Sequence, residues 1–142
     1  MNEDEFRQAL AALENLKAQA ENLSAQLQLI QDTINEFSRA KETASNYSRV
    51  EDGAEVMVPV GGGVFLPARA VKTGRGVMST GVGYSFEQSL SRIVETMDTR
   101  IKELVEASQK IYDRMSELQR QINSLQSVIE EEATREQGPQ QG

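Results

Sequence analysis

Apolar residues recur with heptad spacing on both flanks of this chain, and that recurrence restricts it to long paired helices. In the first flank the a positions are Phe6, Leu13, Ala20, Leu27 and Ile34. The d positions are Ala9, Leu16, Leu23, Ile30, Phe37 and Ala44. The residues between are mostly polar, which makes the apolar stripe a coiled-coil seam. Lys41 breaks the a series, and the run SNYSRVEDG then ends the helix. In the second flank Val94, Ile101, Ser108, Met115, Ile122 and Ile129 hold a, while Leu90, Met97, Leu104, Ile111, Leu118 and Leu125 hold d. Ala20 and Ser108 are small or polar seam positions, either register devices or loose packing; loose packing, which lets the seam splay, is the favoured reading. Asn2 with Glu5, and Ser85 with Gln88, stand at capping-box spacing. Helices are therefore expected over 3–46 and 86–133 of a single domain, 1–134. The polar residues 135–142 are expected to be a disordered tail.

Two helices of similar length flank a turn-rich insert, and the simplest topology folds them back antiparallel. Each would be roughly 65–70 Å long at about 1.5 Å per residue. Matching a to d favours Phe6 with Leu125, Leu13 with Leu118, Ile30 with Ile101 and Phe37 with Val94. A slip of one heptad also matches a to d, but it sets Phe6 against Glu132. Either pairing brings the chain ends together at one tip and leaves the insert at the other end.

The insert, expected as two β-hairpins over 54–86, is the only part rich in Val, Gly and Pro. Val56, Val58 and Val60 alternate with other residues, as do Val64, Leu66 and Ala68, which is the period of a strand with one buried face. Val77 to Thr80 and Val82 to Phe86 read as a second strand pair broken at Gly81, with Arg69 to Gly76 as the link. Gly61-x-Gly63 recurs as Gly81-x-Gly83 at the same place in each hairpin. Pro59 and Pro67 cannot donate to a ladder and should face an edge or a bulge. A two-stranded hairpin is marginal in water, and the chain has no Cys or His for a disulfide or a zinc site. The strand faces must find cover elsewhere, and other chains are the expected cover.

Net charge is −7 with 5% aromatic residues and no His, Cys or Trp, and the acid concentrates toward the two chain ends. That surface argues against nucleic-acid binding, which needs basic patches and stacking platforms. The acidic, helical N-terminus is not expected to act as a signal peptide. No apolar run approaches the roughly 20 residues needed to span a bilayer, so no membrane partner is expected and the expected location is cytoplasmic. Gly81-Val82-Gly83-Tyr84-Ser85-Phe86 invites a dinucleotide reading, but Phe86 occupies the third glycine position and a long helix leaves no βαβ crossover. No glycine precedes the Lys-Ser/Thr of a P-loop. Tight turns needing positive φ explain the glycines better. Without His or Cys, nucleophilic triads and thiol chemistry are nearly excluded, and the carboxylates lie on solvated helix faces. The chain is read as no enzyme, with no cofactor, metal or catalytic residue.

Helix, two hairpins and helix, carrying VMVPVGGGVFLPARAV and then VMSTGVGYSFEQSL, resemble an alpha-class prefoldin subunit, most similar to the archaeal form. Val58-Pro59-Val60-Gly61 and Gly81-Val82-Gly83-Tyr84 carry the likeness, and the flanking heptads extend it over nearly the whole chain. Beta-class subunits have one hairpin; two hairpins point to the alpha class. The resemblance implies an α+β fold: a long antiparallel coiled-coil helical hairpin whose two central β-hairpins join an oligomeric β-barrel. It implies a hexamer of two alpha and four beta-class subunits. It also implies an ATP-independent holdase that captures unfolded client proteins at the coiled-coil tips and passes them to a group II chaperonin. The shorter middle residue of Gly61–Gly63 and the presence of Pro67 depart from the usual pattern and bear on strand boundaries alone.

Residue by residue, the expected client-binding tip is Phe6, Leu10, Leu13, Leu118, Leu125, Val128 and Ile129. Leu10 and Val128 fall outside a and d and widen the apolar stripe beyond what pairing requires. The expected assembly surface is Val56, Val58, Val60, Val64, Leu66, Val77, Val82 and Tyr84. The alternative function is a structural tether or adaptor, in which the coiled coil is a spacer and the tip binds one defined partner.

Overall fold

A computed structural model describes residues 1–79 and 81–137. The elements run α1 (Glu3–Tyr47), β1 (Glu55–Gly61), β2 (Val64–Arg69), β3 (Arg75–Ser79), β4 (Ser85–Ser89) and α2 (Leu90–Gln137). They divide into two compact units, Met1–Asp32 with Val105–Gly142, and Thr33–Leu104.

In the first unit the capping box at the start of α1 forms reciprocally. The Glu5 amide donates to Asn2 Oδ1 at 2.8 Å, and the Asn2 amide donates to Glu5 Oε2 at 3.2 Å. From Phe6 to Ile30 the half-buried residues are the a and d positions, and the residues between are exposed. The facing part of α2 supplies the core of the unit, Leu118 and Ile122. Glu132 continues the d series of α2, and its side chain is only 14% exposed, with the Met1 ammonium 3.1 Å from Oε1. That contact satisfies a carboxylate which would otherwise be costly at a covered position.

In the second unit α1 ends near Tyr47, whose hydroxyl donates to the Val71 carbonyl at 3.2 Å and accepts from the Val71 amide at 3.0 Å. Asp52 Oδ1 accepts from the Lys72 amide at 2.8 Å. These bonds pin the link between the hairpins, which is Ala70–Gly74, shorter than expected because Arg69 belongs to β2 and Arg75 and Gly76 to β3. β1 and β2 pair antiparallel through the two-residue turn Gly62-Gly63, where φ is 61° and 77°. Positive φ at both central residues is the turn whose twist matches the flanking strands, and glycine adopts it without strain.

β3 and β4 pair antiparallel with Val77 opposite Glu87 and Met78 opposite Phe86. This corrects three expectations. Phe86 and Gln88 lie in a strand rather than in the first turn of a helix, so the second helix starts at Leu90 and not at residue 86. Ser89 caps it instead of Ser85, with Oγ accepting from the Arg92 amide at 3.2 Å. Val82 lies in the turn between the strands. Cross-strand bonds with Arg75–Ser79, and burial of Met78, hold residues 85–89 extended against their helical caps. The Leu90 amide then donates to the Gly74 carbonyl at 2.9 Å, so the ladder hands over directly to the helix. At the other end α2 continues to Gln137, past the expected stop at 133; of the expected tail, 138–142 lies outside the described residues.

β3 sits on the start of α2 through Gly76. A Cβ built there would stand 2.8 Å from Ile93 Cδ1 and 3.4 Å from Leu90 Cδ2. The Ile93 methyl can swing aside for one carbon but not for a branched side chain. Gly76→Leu is therefore expected to lift the second hairpin off the helix at a cost of about 1–3 kcal/mol, while Gly76→Ala is nearly silent. A thermal melt followed by circular dichroism checks this: the leucine variant melts several degrees lower, by roughly 2–8 °C per kcal/mol.

Candidate functional site

The first hairpin is apolar on both faces. Cross-strand partners Val56 with Ala68 and Val58 with Leu66 share one face, in line with Val60 and Val64. Met57 with Pro67 and Pro59 with Phe65 share the other. Val58 is 42% exposed and Phe65 56%, and Met57, Val60, Val64 and Leu66 are likewise open; Val56 alone is half-buried. The Ala70 amide donates to the Ala54 carbonyl at 2.8 Å, which makes that pair hydrogen-bonded. Counting along the register, Val56–Ala68 and Val58–Leu66 are then bonded pairs, and Met57–Pro67 and Pro59–Phe65 are not. Both prolines thus lie where an N–H would point away from the partner strand, and neither interrupts the ladder. A bulge between Pro59 and Gly61 further bends β1.

Met57 and Phe65 were not among the expected assembly residues. The signal for them was present: a strand that is apolar at successive positions is one meant to be covered on both sides. Reading alternation alone hides that signal.

The second hairpin differs in character. Met78 is buried on its inner face, and Val77 is exposed on the outer face beside the Arg75–Glu87 ion pair at 3.6 Å. Val82 and Tyr84 are exposed in the connecting turn rather than on a strand face. In the same unit a groove of about 660 Å³ is lined by Ala40, Ala44 and Tyr47 of α1, Val77 of β3, and Leu90 and Ile93 of α2.

In the first unit Leu118 is 0% exposed, and Phe6, Leu13, Leu125 and Ile129 are half-buried seam residues. Leu10 and Val128, 41% and 43% exposed, carry the apolar surface that stands outside the seam. Val128 and Leu125 line a shallow groove of about 400 Å³ with Arg120, Gln121 and Ser124. Leu118 offers nothing to a ligand unless the helices part. Glu3, Asp4 and Glu5 occupy the first turn of α1, where carboxylates favour the helix dipole.

Where α1 meets α2 in the second unit, Lys41 Nζ lies 2.8 Å from Asp98 Oδ1, with Lys102 Nζ 3.4 Å from Oδ2. The hydrogen bond from Lys41, then its charge and that of Lys102, hold the Asp98 carboxyl below its ordinary value. A lowered carboxyl stabilises the fold above its unfolded pKa, and that contribution disappears as the pH falls through the folded one. Arg100 stacks over the Phe37 ring at 5.9 Å. Phe37 and Lys41 therefore lie beside Arg100 and Asp98, which in this unit is the pairing one heptad away from the favoured Phe37–Val94 register.

No group of three or more His, Cys, Asp or Glu among the described residues is placed to hold a metal ion. No helix among them is long and apolar enough to cross a membrane. The surfaces offer apolar contact and unpaired strand edges, which is the chemistry of protein association.

A family model described as "Prefoldin subunit" matches residues 16–135. The chain belongs to the prefoldin family. It is 32% identical over 145 aligned residues to "Prefoldin subunit alpha" of Methanosarcina barkeri, an alignment covering 99% of this chain and 97% of the relative. It is 29% identical over 131 residues to "Prefoldin subunit alpha" of Pyrococcus horikoshii, covering 92% and 88% respectively. Among solved structures, the filamentous PFD of Methanocaldococcus jannaschii superposes with a TM-score of 0.69 at 24% identity, covering 86% of this chain and 98% of that one. Prefoldin is a chaperone family, and this chain is a chaperone subunit of the expected α+β class, with coiled-coil helices around two small antiparallel hairpins.

Proposed function

We propose that this prefoldin-family chain is the alpha-class subunit of a hexamer, two alpha with four beta-class subunits, acting in the cytoplasm as an ATP-independent holdase. It captures unfolded proteins at the helix ends of its first unit and passes them to a group II chaperonin. It has no catalytic role. The observation that carries the assembly half of this reading is the first hairpin, apolar on both faces and with unpaired outer edges. Such a sheet is a template for strands from other chains, and burying both faces in a β-barrel removes the liability. The full-length likeness to alpha subunits supports the class. For the capture half, Leu10 and Val128 supply exposed apolar surface beside the seam.

Co-expression with a beta-class subunit tests the reading. Native mass spectrometry is expected to return a hexamer with two copies of this chain. That hexamer is expected to suppress aggregation of several unrelated unfolded proteins without nucleotide, measured by light scattering. A complex that binds a single folded partner stoichiometrically and leaves unfolded proteins to aggregate would establish the tether or adaptor instead.

A further inference from the structure

We propose that the Lys41–Asp98 pair, with Arg100 on Phe37, is a register lock that selects one of two apolar-equivalent pairings of the helices in the second unit. The heptads themselves do not choose. With Lys41 beside Asp98 and Phe37 under Arg100, the heptads set Ile34 opposite Leu104 and Phe37 opposite Ile101; slipped by one heptad, Ile34 would meet Met97 and Phe37 would meet Val94. Both sets place large apolar residues against each other, so dispersion and burial alone distinguish them poorly. The polar residues do distinguish them. Lys41 stands at an a position, inside the seam, and its ammonium reaches Asp98 at 2.8 Å. After the slip Ser91 would stand where Asp98 does and Ile93 where Arg100 does. Lys41 would then lose the carboxylate at 2.8 Å, with Glu95 brought only to the more exposed place that Lys102 now holds, and the Phe37 ring would lose its guanidinium at 5.9 Å. A single charged residue at an a position is a known means of setting register at some cost in stability.

A second restraint acts in the same unit and has to be separated from the lock. Tyr47 clasps Val71, and the second hairpin sits on Leu90 and Ile93, so the connection between the helices also resists a slip. A slip of seven residues moves one helix by about 10 Å, beyond the reach of a disulfide, which needs Cα atoms within about 7 Å. The chain has no Cys, so introduced pairs report without background.

The test places Ile34→Cys with Leu104→Cys in one full-length chain and Ile34→Cys with Met97→Cys in another. Each is oxidised at low concentration and read by peptide mass spectrometry, with mixed isotope-labelled chains to set aside bridges between molecules. With Lys41 and Asp98 native, the 34–104 bridge is expected to dominate. With Lys41→Leu and Asp98→Leu added, the chain stays folded because both changes favour the seam. The ratio of 34–97 to 34–104 bridges is then expected to rise roughly threefold to tenfold, the range for one partly exposed ion pair with its coupled ring contact. Lys41→Asp, which sets two carboxylates together, is expected to raise the ratio too, and adding Asp98→Lys to it is expected to lower it again. A ratio unchanged in all of these variants would overturn the lock and assign the register to the Tyr47 clasp and the hairpin seat.

Discussion

Val58→Asp and Phe65→Asp, each alone, are expected to abolish assembly with the beta-class partner while leaving the helical signal nearly unchanged. The two residues lie on opposite faces of the first hairpin, and both are open in the isolated chain. In the proposed barrel each face is covered, and an unpaired carboxylate brought into such an interface costs several kcal/mol after relaxation. Each 1.4 kcal/mol is about a tenfold loss of affinity, so the hexamer should disappear at micromolar concentration. Because both side chains are exposed and lie on strands, far-ultraviolet circular dichroism should change little. Native mass spectrometry of the co-expressed chains decides the outcome. An intact hexamer with Phe65→Asp would mean that the Met57–Phe65 face stays in water, and the two-sided reading of this hairpin would fail.

Capture of unfolded protein is expected to fall by at least tenfold in a hexamer carrying Leu10→Glu with Val128→Glu, with its mass and melting unchanged. Both side chains are exposed outside the seam, so the substitutions remove apolar surface without opening the core. A fully buried apolar side chain contributes about 1.5–3 kcal/mol, and a partly covered one less. Several arms acting together multiply such weak contacts through effective concentration, so weakening every arm has a compounded effect. The added carboxylates also raise the charge already present at Glu3, Asp4 and Glu5 and at Glu130 and Glu131. Deleting the whole end is a poorer probe, because removal from Leu118 onward takes away Leu118 and Ile122, the buried core of that unit. Light scattering of an unfolded client measures the effect. Full suppression of aggregation by the double variant would place capture elsewhere on the complex.

The first helix was legible to within a residue, and the seam positions of its first thirty residues were legible too, because their signal is periodic and local. Between Phe6 and Ile30 the positions half-buried in the structure are the a and d positions of the heptad, and the Asn2–Glu5 cap closes as its spacing implies. The first hairpin was legible as well, since Gly62 and Gly63 leave few other conformations for the turn. The second was misplaced by several residues. Ser85 and Gln88 carry a cap spacing that is valid in isolation, but β3 competes for the same residues, pairing Ser79 with Ser85 and Gly76 with Gln88.

The heptads, the capping residues and the glycine turns determined by themselves that this chain would be two long helices around two hairpins, and with the hairpin motifs they pointed to its family. Three matters were decided only in three dimensions: the pairing of the helices in the second unit, the true start of α2, and the exposure of the Met57 and Phe65 face of the first hairpin. The physical reason is the same for each. Heptad periodicity repeats, so it is blind to a slip of seven residues until Lys41 finds Asp98 across the seam. A cap motif states a local preference that cross-strand bonds can outweigh. An apolar strand states that it must be covered, and the sequence already pointed to other chains as the cover; the folded chain adds that the face of Met57 and Phe65 is open as well.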